Sequence, residues 1–221
     1  MRYYPIQLDI CNRPCLVVGG GAVGTRKVST LLACGARVTV VSPEATDELR
    51  RATGQGQITL NLREYASSDI EGMFLVIGAT DDEDLNRRVS ADAEHRKILC
   101  NIADRPDKCN FILPAVIARG DLVITVSTSG KSPALAKKLR RDIGRQFGEE
   151  YAVLLKLLGA ARKRLLAEAH APEAHKPLFE RIVDSDILEL IRAGQTQAVD
   201  RLLADVLGDG FRSADLLGET D

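Results

Sequence analysis

Cys15-Leu16-Val17-Val18-Gly19-Gly20-Gly21-Ala22-Val23-Gly24 is the stretch on which the fold turns. A short apolar run leads straight into glycines, and a helical pattern from Val23 to Ala33 opens behind them. An apolar run without polar alternation is the pattern of a strand covered on both faces. The glycines satisfy G-x-G-x-x-G where the pattern is informative, after a strand and at the start of a helix. Gly19 permits the tight turn, Gly21 lets a pyrophosphate approach the backbone, and Gly24 lets helix and strand pack closely. N–H groups at the helix start, at Ala22 and Val23, face the phosphates. A ligand-free β–α turn is the plainer alternative; strand, loop and helix in register favour dinucleotide binding.

Similar runs recur outward from this loop. Arg37-Val38-Thr39-Val40-Val41 is closed by Ser42-Pro43, Gln57 to Leu62 alternates with period two, and Phe74–Ile77 and Ile98–Ile102 follow. Asp84 to Glu94 reads as a helix. Apolar strands alternating with helices predict an α/β domain with a Rossmann-like parallel sheet. An acidic ribose-reading residue is expected at the end of the second strand. Ser42 and Pro43 stand there, with Glu44 beyond and no Arg directly following, which favours NAD over NADP. Gly78-Ala79-Thr80, after another strand end, is read as cofactor contact through Ala79 and Thr80. Asp81 or Asp82 is read as the cap of the next helix.

After about residue 110 the pattern changes. Asn110 to Ala118 is apolar and carries Pro114, Asp121 to Ser127 reads as a strand, and Ser129 to Pro133 as a turn. Pro133 suits the first turn of a helix running to about Gln146. From Tyr151 the chain is helical, with Leu154, Leu158, Ala161 and Leu165 as its stripe. Ala171-Pro172 and Pro177 are expected to break it, before helices at Leu178–Arg192 and Thr196–Leu207. The tail from Gly208 is expected to fray.

Composition narrows the function. Of 221 residues, 45% are hydrophobic and 28% charged, with a formal net charge of −1. That argues for a folded chain and against a general nucleic-acid binder. Trp is absent and aromatics make up 4%, too few for base-stacking platforms. No apolar run reaches the roughly 20 residues of a membrane span, and Met1 to Pro5 lacks a signal-peptide core, so a cytoplasmic location is expected. The five cysteines include no Cys-x-x-Cys pair, and Cys15, Cys34 and Cys100 read as small buried hydrophobes. His95, His170 and His175 show no zinc-ligand spacing, so no metal site is expected.

Two further features carry chemistry. Asn101-Ile102-Ala103-Asp104-Arg105-Pro106 places a carboxylate past a strand end. From spacing alone Asp104 reads as a turn residue; the functional alternative is a proton acceptor beside the nicotinamide. Lys131, Lys137, Lys138, Arg140, Arg141 and Arg145 gather against the single Asp142, behind a Ser/Thr/Gly turn. A solvated helix face is the plain reading, and docking of a polyanion the functional one.

Together these residues resemble the siroheme synthase dehydrogenase/chelatase family. The marks are Tyr4-Pro5-Ile6, the glycine loop followed by Arg26-Lys27, Ala79-Thr80-Asp81-Asp82, Cys100 to Asp104, Asn110 to Pro114, and Val126 to Ala136. The resemblance implies NAD-dependent oxidation of precorrin-2 to sirohydrochlorin, and in many members Fe²⁺ insertion, with iron as substrate. It makes Asp104 central to both steps. It makes the basic segment a docking surface for the tetrapyrrole carboxylates, through Thr128, Ser129, Lys131, Ser132 and Lys137. It also implies a nucleotide-binding domain (1–112), a dimerisation region with the basic helix (113–150), a small all-helical domain (151–221), and a homodimer. A separate uroporphyrinogen methyltransferase would supply the substrate. The competing readings are a non-catalytic NAD sensor and a dehydrogenase without chelatase activity. A short-chain dehydrogenase is disfavoured because no Tyr has a Lys four residues on.

Overall fold

The strand that ends in the glycine loop lies at the centre of a five-stranded, all-parallel sheet. The computed structural model describes residues 2–103, 105–167 and 172–218, with the backbone alone at 106 and 172–174. The chain divides into two compact units, Met1–Leu113 and Pro114–Asp221.

The first unit contains β1 (Pro14–Gly20), α1 (Ala22–Ala33), β2 (Arg37–Ala45), α2 (Asp47–Gly54), β3 (Ile58–Asn61), β4 (Leu75–Gly78), α3 (Glu83–His95), β5 (Leu99–Ile102) and a 3-10 turn at Pro106–Lys108. The strand order is β3-β2-β1-β4-β5, a Rossmann-like arrangement. Period two sorts β1 between two cores. Cys15 and Val17 join Val28 and Leu31 of α1 and Leu49 of α2 on one face, while Leu16 and Val18 join Val89 and Ala93 of α3 on the other. Each such fully buried aliphatic side chain contributes about 1.5–3 kcal/mol, so covering both faces is what holds the sheet.

Three local expectations change. β2 continues past Ser42-Pro43 to Ala45, because a register shift between Val18 and Gly20 pairs Gly20 with Ala45; Pro43 sits within this irregularity, where no ladder N–H is required. The helix α2, absent from the sequence reading, starts where Thr46 accepts a hydrogen bond from the Leu49 N–H. Cys34 is exposed rather than buried, since α1 ends before it and Gly35, at φ +73°, turns the chain away.

The second unit begins with β6 (Ala115–Arg119) and β7 (Leu122–Val126), an antiparallel hairpin turning at Gly120 and Asp121. Then come α4 (Pro133–Gly144), α5 (Glu150–Ala167), α6 (Pro172–Val183), α7 (Ile187–Arg192), α8 (Thr196–Leu207) and α9 (Ser213–Gly218). Helix α4 covers the hairpin face carrying buried Ile117. Helices α5 to α9 share one core of Leu154, Leu157, Ala161, Leu165, Ile182, Ile187, Val199, Leu203, Phe211 and Leu216. On α5 it is Leu157, not Leu158, that is fully buried. Pro177 does not break a helix: it lies inside α6 with its ring exposed, while Ile182 anchors the same helix in the core. The tail does not fray through residue 218, because Phe211 and Leu216 are buried and α9 packs on α5. Residues 219–221 lie outside the described residues.

Candidate functional site

In a sheet of this order, connections leave β1 in opposite directions, and a crevice opens beyond the carboxyl ends of β1 and β4. Three of the four loop glycines are required by neighbouring backbone. Gly19 has φ +115°, and a Cβ there would lie 2.5 Å from the Ala79 carbonyl oxygen. A Cβ on Gly20 would lie 2.2 Å from the Glu44 oxygen, and one on Gly24 would lie 2.0 Å from the Gly19 oxygen. Gly21 differs, because a Cβ there would meet nothing within 4 Å. The open face of the loop is thus at Gly21, the N-cap of α1.

No side chain caps α1, and its first turn holds no acid. The N–H groups of Ala22, Val23 and Gly24 and the positive end of the helix dipole therefore suit an anion. Thr25 braces the loop: its hydroxyl donates to the Gly21 oxygen at 3.0 Å and shares a hydrogen bond with Thr46 at 2.8 Å. The Thr46 N–H in turn donates to the Gly20 oxygen at 3.0 Å. Beside the loop stand the end of β2, with Ser42 buried and Pro43 exposed, and the partly buried Ala79 and Thr80 after β4. An open glycine at an uncapped helix start, flanked by small residues, fits a dinucleotide.

The turn after β4 is held on several sides. The Ala79 N–H donates to the Val18 oxygen at 2.7 Å. Asp82 caps α3, accepting from the N–H groups of Asp84 and Leu85 at 2.9 and 3.0 Å. Asn86 Nδ2 donates to the Thr80 oxygen at 2.9 Å. Asp104 lies outside the described residues; on either side, the Ala103 N–H donates to the Gly78 oxygen at 2.8 Å and Arg105 pairs with Glu83 at 2.6 Å. Cys109 Sγ accepts the Ile102 N–H at 3.1 Å and its thiol donates to the Arg105 oxygen at 3.1 Å. Burial pushes that thiol up from its ordinary range, which keeps it a protonated donor.

In the second unit, Thr128 and Ser132 build the turn before α4. The Thr128 hydroxyl donates to the Ser132 oxygen at 3.0 Å and accepts the Ser132 N–H at 3.2 Å. Ser132 Oγ caps α4 by accepting from Leu135, and Ser129 and Gly130 take φ +54° and +78°. Lys131, Ser129 and Lys137 are exposed. Lys138 and Arg145 share Asp142, whose carboxyl the Lys138 hydrogen bond holds below its usual range. The structure thus gathers Gly19, Gly21–Gly24, Ser42, Pro43, Ala79 and Thr80 at one end of the first unit's sheet, and Thr128 to Lys137 about the start of α4.

Sequence reading passed over Gly20, Thr25, Thr46, Asn86 and Cys109. For Asn86 a signal was present: it interrupts the apolar face of Leu85, Val89 and Ala93 with an amide. The others depend on contacts between distant segments, which spacing does not carry.

Comparison with known proteins bears on this arrangement. The family described as "Putative NAD(P)-binding" matches residues 6–115, and "Sirohaem biosynthesis protein central" matches residues 119–146. Siroheme synthase of Thioalkalivibrio sulfidiphilus is 38% identical over 219 residues, covering 99% of this chain and 45% of that protein. Siroheme synthase of Nitrosococcus oceani is 36% identical over 211 residues, covering 96% and 45%. The chain therefore spans less than half the length of these relatives. Among solved structures, SirC, a precorrin-2 dehydrogenase, superposes with a TM-score of 0.74 at 28% identity, covering 90% of this chain and 100% of that one. Over nearly its whole length the chain is thus similar to siroheme synthases and to a precorrin-2 dehydrogenase, matching an NAD(P)-binding model in its first half and a sirohaem-biosynthesis central model after it.

Proposed function

We propose that this chain oxidises precorrin-2 to sirohydrochlorin with NAD⁺ and then assists Fe²⁺ insertion into the product. The observation that carries the reading is the likeness to a precorrin-2 dehydrogenase over that protein's entire length. Bound NAD⁺ supplies the hydride acceptor; the chain's residues do the rest. Backbone N–H groups from Gly21 to Gly24 hold the pyrophosphate, Ser42 and Pro43 line the adenosine ribose, and Ala79 and Thr80 support the nicotinamide half. Ser42 in place of an acidic residue, with no Arg following, favours NAD over NADP.

Oxidation removes one hydride and one proton from the substrate, and Asp104 accepts the proton. During metal insertion the same carboxylate receives pyrrole N–H protons as the dication enters. Thr128, Ser129, Lys131, Ser132 and Lys137 bind substrate carboxylates. Two copies of the chain form the working unit, through the 113–150 region. The metal step rests on relatives named siroheme synthase, and iron acts as substrate. In this reading the tetrapyrrole nitrogens supply the coordination.

The test is anaerobic incubation with precorrin-2 and NAD⁺, following NADH and the sirohydrochlorin spectrum, then adding Fe²⁺ or Co²⁺. NADH and sirohydrochlorin should rise together. Metal uptake should exceed a no-enzyme control. Asp104→Asn should lower turnover by about 10²-fold or more while NAD⁺ still binds. NAD⁺ binding without NADH formation would replace the enzyme by a sensor.

A further inference from the structure

The crevice is supported from below by a buried amide whose hydrogen bonding is incomplete. Asn86 is 5% exposed, and its Oδ1 has no hydrogen-bond partner among the described residues. It shares the buried face of α3 with Val89 and Ala93, where a leucine of the same branched shape would bury no lone acceptor. Packing therefore does not explain the amide. Its one strong contact is the Nδ2 hydrogen bond to the Thr80 carbonyl, 2.9 Å long.

That carbonyl belongs to the segment on which the glycine loop rests. A Cβ on Gly19 would lie 2.5 Å from the Ala79 oxygen and 3.0 Å from the Thr80 nitrogen, so the 79–80 peptide sits directly against Gly19. Gly78 makes room for the amide, since a Cβ there would lie 2.9 Å from Asn86 Oδ1. A line of contacts thus runs from α3 through Asn86 and Thr80 to Gly19, and Gly19 in turn abuts Gly24 at the start of α1.

We propose that Asn86 is a positioning residue for the dinucleotide. By holding the Thr80 carbonyl it fixes the 79–80 peptide beneath Gly19, and through it the shape of the loop that receives the pyrophosphate. The inference rests on the dinucleotide reading given above.

The test compares NAD⁺ affinity, by calorimetric titration, with thermal stability in Asn86→Leu. The leucine variant should melt within about 4 °C of the unmodified chain yet bind NAD⁺ about tenfold more weakly. Its KM for NAD⁺ should rise in step, with kcat nearly unchanged. Unaltered affinity in a folded Asn86→Leu protein would overturn the proposal while leaving the dinucleotide site standing. Should that protein not fold, Asn86→Ser takes its place, and wild-type affinity there is equally fatal. Failure of the unmodified chain to bind either NAD⁺ or NADP⁺ would remove the dinucleotide reading and this inference together.

Discussion

At the scale of single residues, the glycine loop separates two kinds of glycine that its motif treats alike. Gly21 has φ −77° and ψ −171° with nothing near its absent Cβ, whereas a Cβ on Gly24 would collide with the Gly19 oxygen. Gly21→Ala should therefore keep stability within about 1 kcal/mol and lose dinucleotide affinity, because the methyl would stand on the open face proposed to receive the pyrophosphate. Gly24→Ala should cost about 1–3 kcal/mol through overpacking, before any ligand is added. Melting curves beside NAD⁺ titrations check the contrast, and equal stability losses would refute it. The cysteines divide in the same way. Burial pushes Cys15 up to about 11 and Cys100 up to about 12, whereas Cys11 and Cys34 are exposed. Iodoacetamide near neutral pH should label Cys11 and Cys34 first, read by peptide mass spectrometry, because only an accessible thiolate reacts.

At the scale of elements, legibility in the sequence followed the range of the interactions. The strands of the parallel sheet were readable because being covered on both faces leaves an unbroken apolar run, as in Cys15 to Val18. Helix α8 was readable from its stripe of Val199 and Leu203. Helix α2 was not, since its single buried residue, Leu49, gives no period. Strand β6 was hidden because its alternation runs through small and aliphatic residues together, and only pairing with β7 distinguishes its faces. The glycine loop and the Asp82 cap are local, and local chemistry can be read directly. The Thr25–Thr46 and Asn86–Thr80 hydrogen bonds join separate elements and become visible only in three dimensions. One such tie has a pH signature. Glu150, at the start of α5, pairs with Arg192, at the end of α7, at 2.6 Å, with the Glu side chain only 9% exposed. The Arg192 hydrogen bond holds its carboxyl below the usual range. A carboxyl depressed in the folded state stabilises above its unfolded pKa of about 4.3 and loses that contribution as pH falls through the folded value. Glu150→Gln should thus cost about 1 kcal/mol near pH 7. It should also flatten the acid side of a stability-versus-pH curve, measured by denaturant titration at several pH values.

At the scale of the whole molecule, the two units differ in how completely they bury themselves. The first unit covers both faces of its sheet, and helices α5 to α9 close around a core of their own. The β6–β7 hairpin does not. A two-stranded sheet is marginal alone, and α4 covers only the face that carries Ile117. On the other face the pairs Val116–Thr125 and Ala118–Val123 are exposed, with Val116 at 47% and Val123 at 38%. Apolar side chains aligned across a ladder are costly to leave in water, and this exposed face is consistent with the dimer proposed through this region. A single charged residue in that face would have to be buried without a partner in the dimer but would remain solvated in the monomer. Val116→Asp should therefore sediment at half the mass of the unmodified protein, with an unchanged circular dichroism spectrum. Its NAD⁺ affinity should persist, since the glycine loop lies in the first unit, while turnover of precorrin-2 should fall if the active site needs both copies. An unmodified protein that sediments as a single chain at working concentration would end the dimer reading, and the exposed face would then require a different partner.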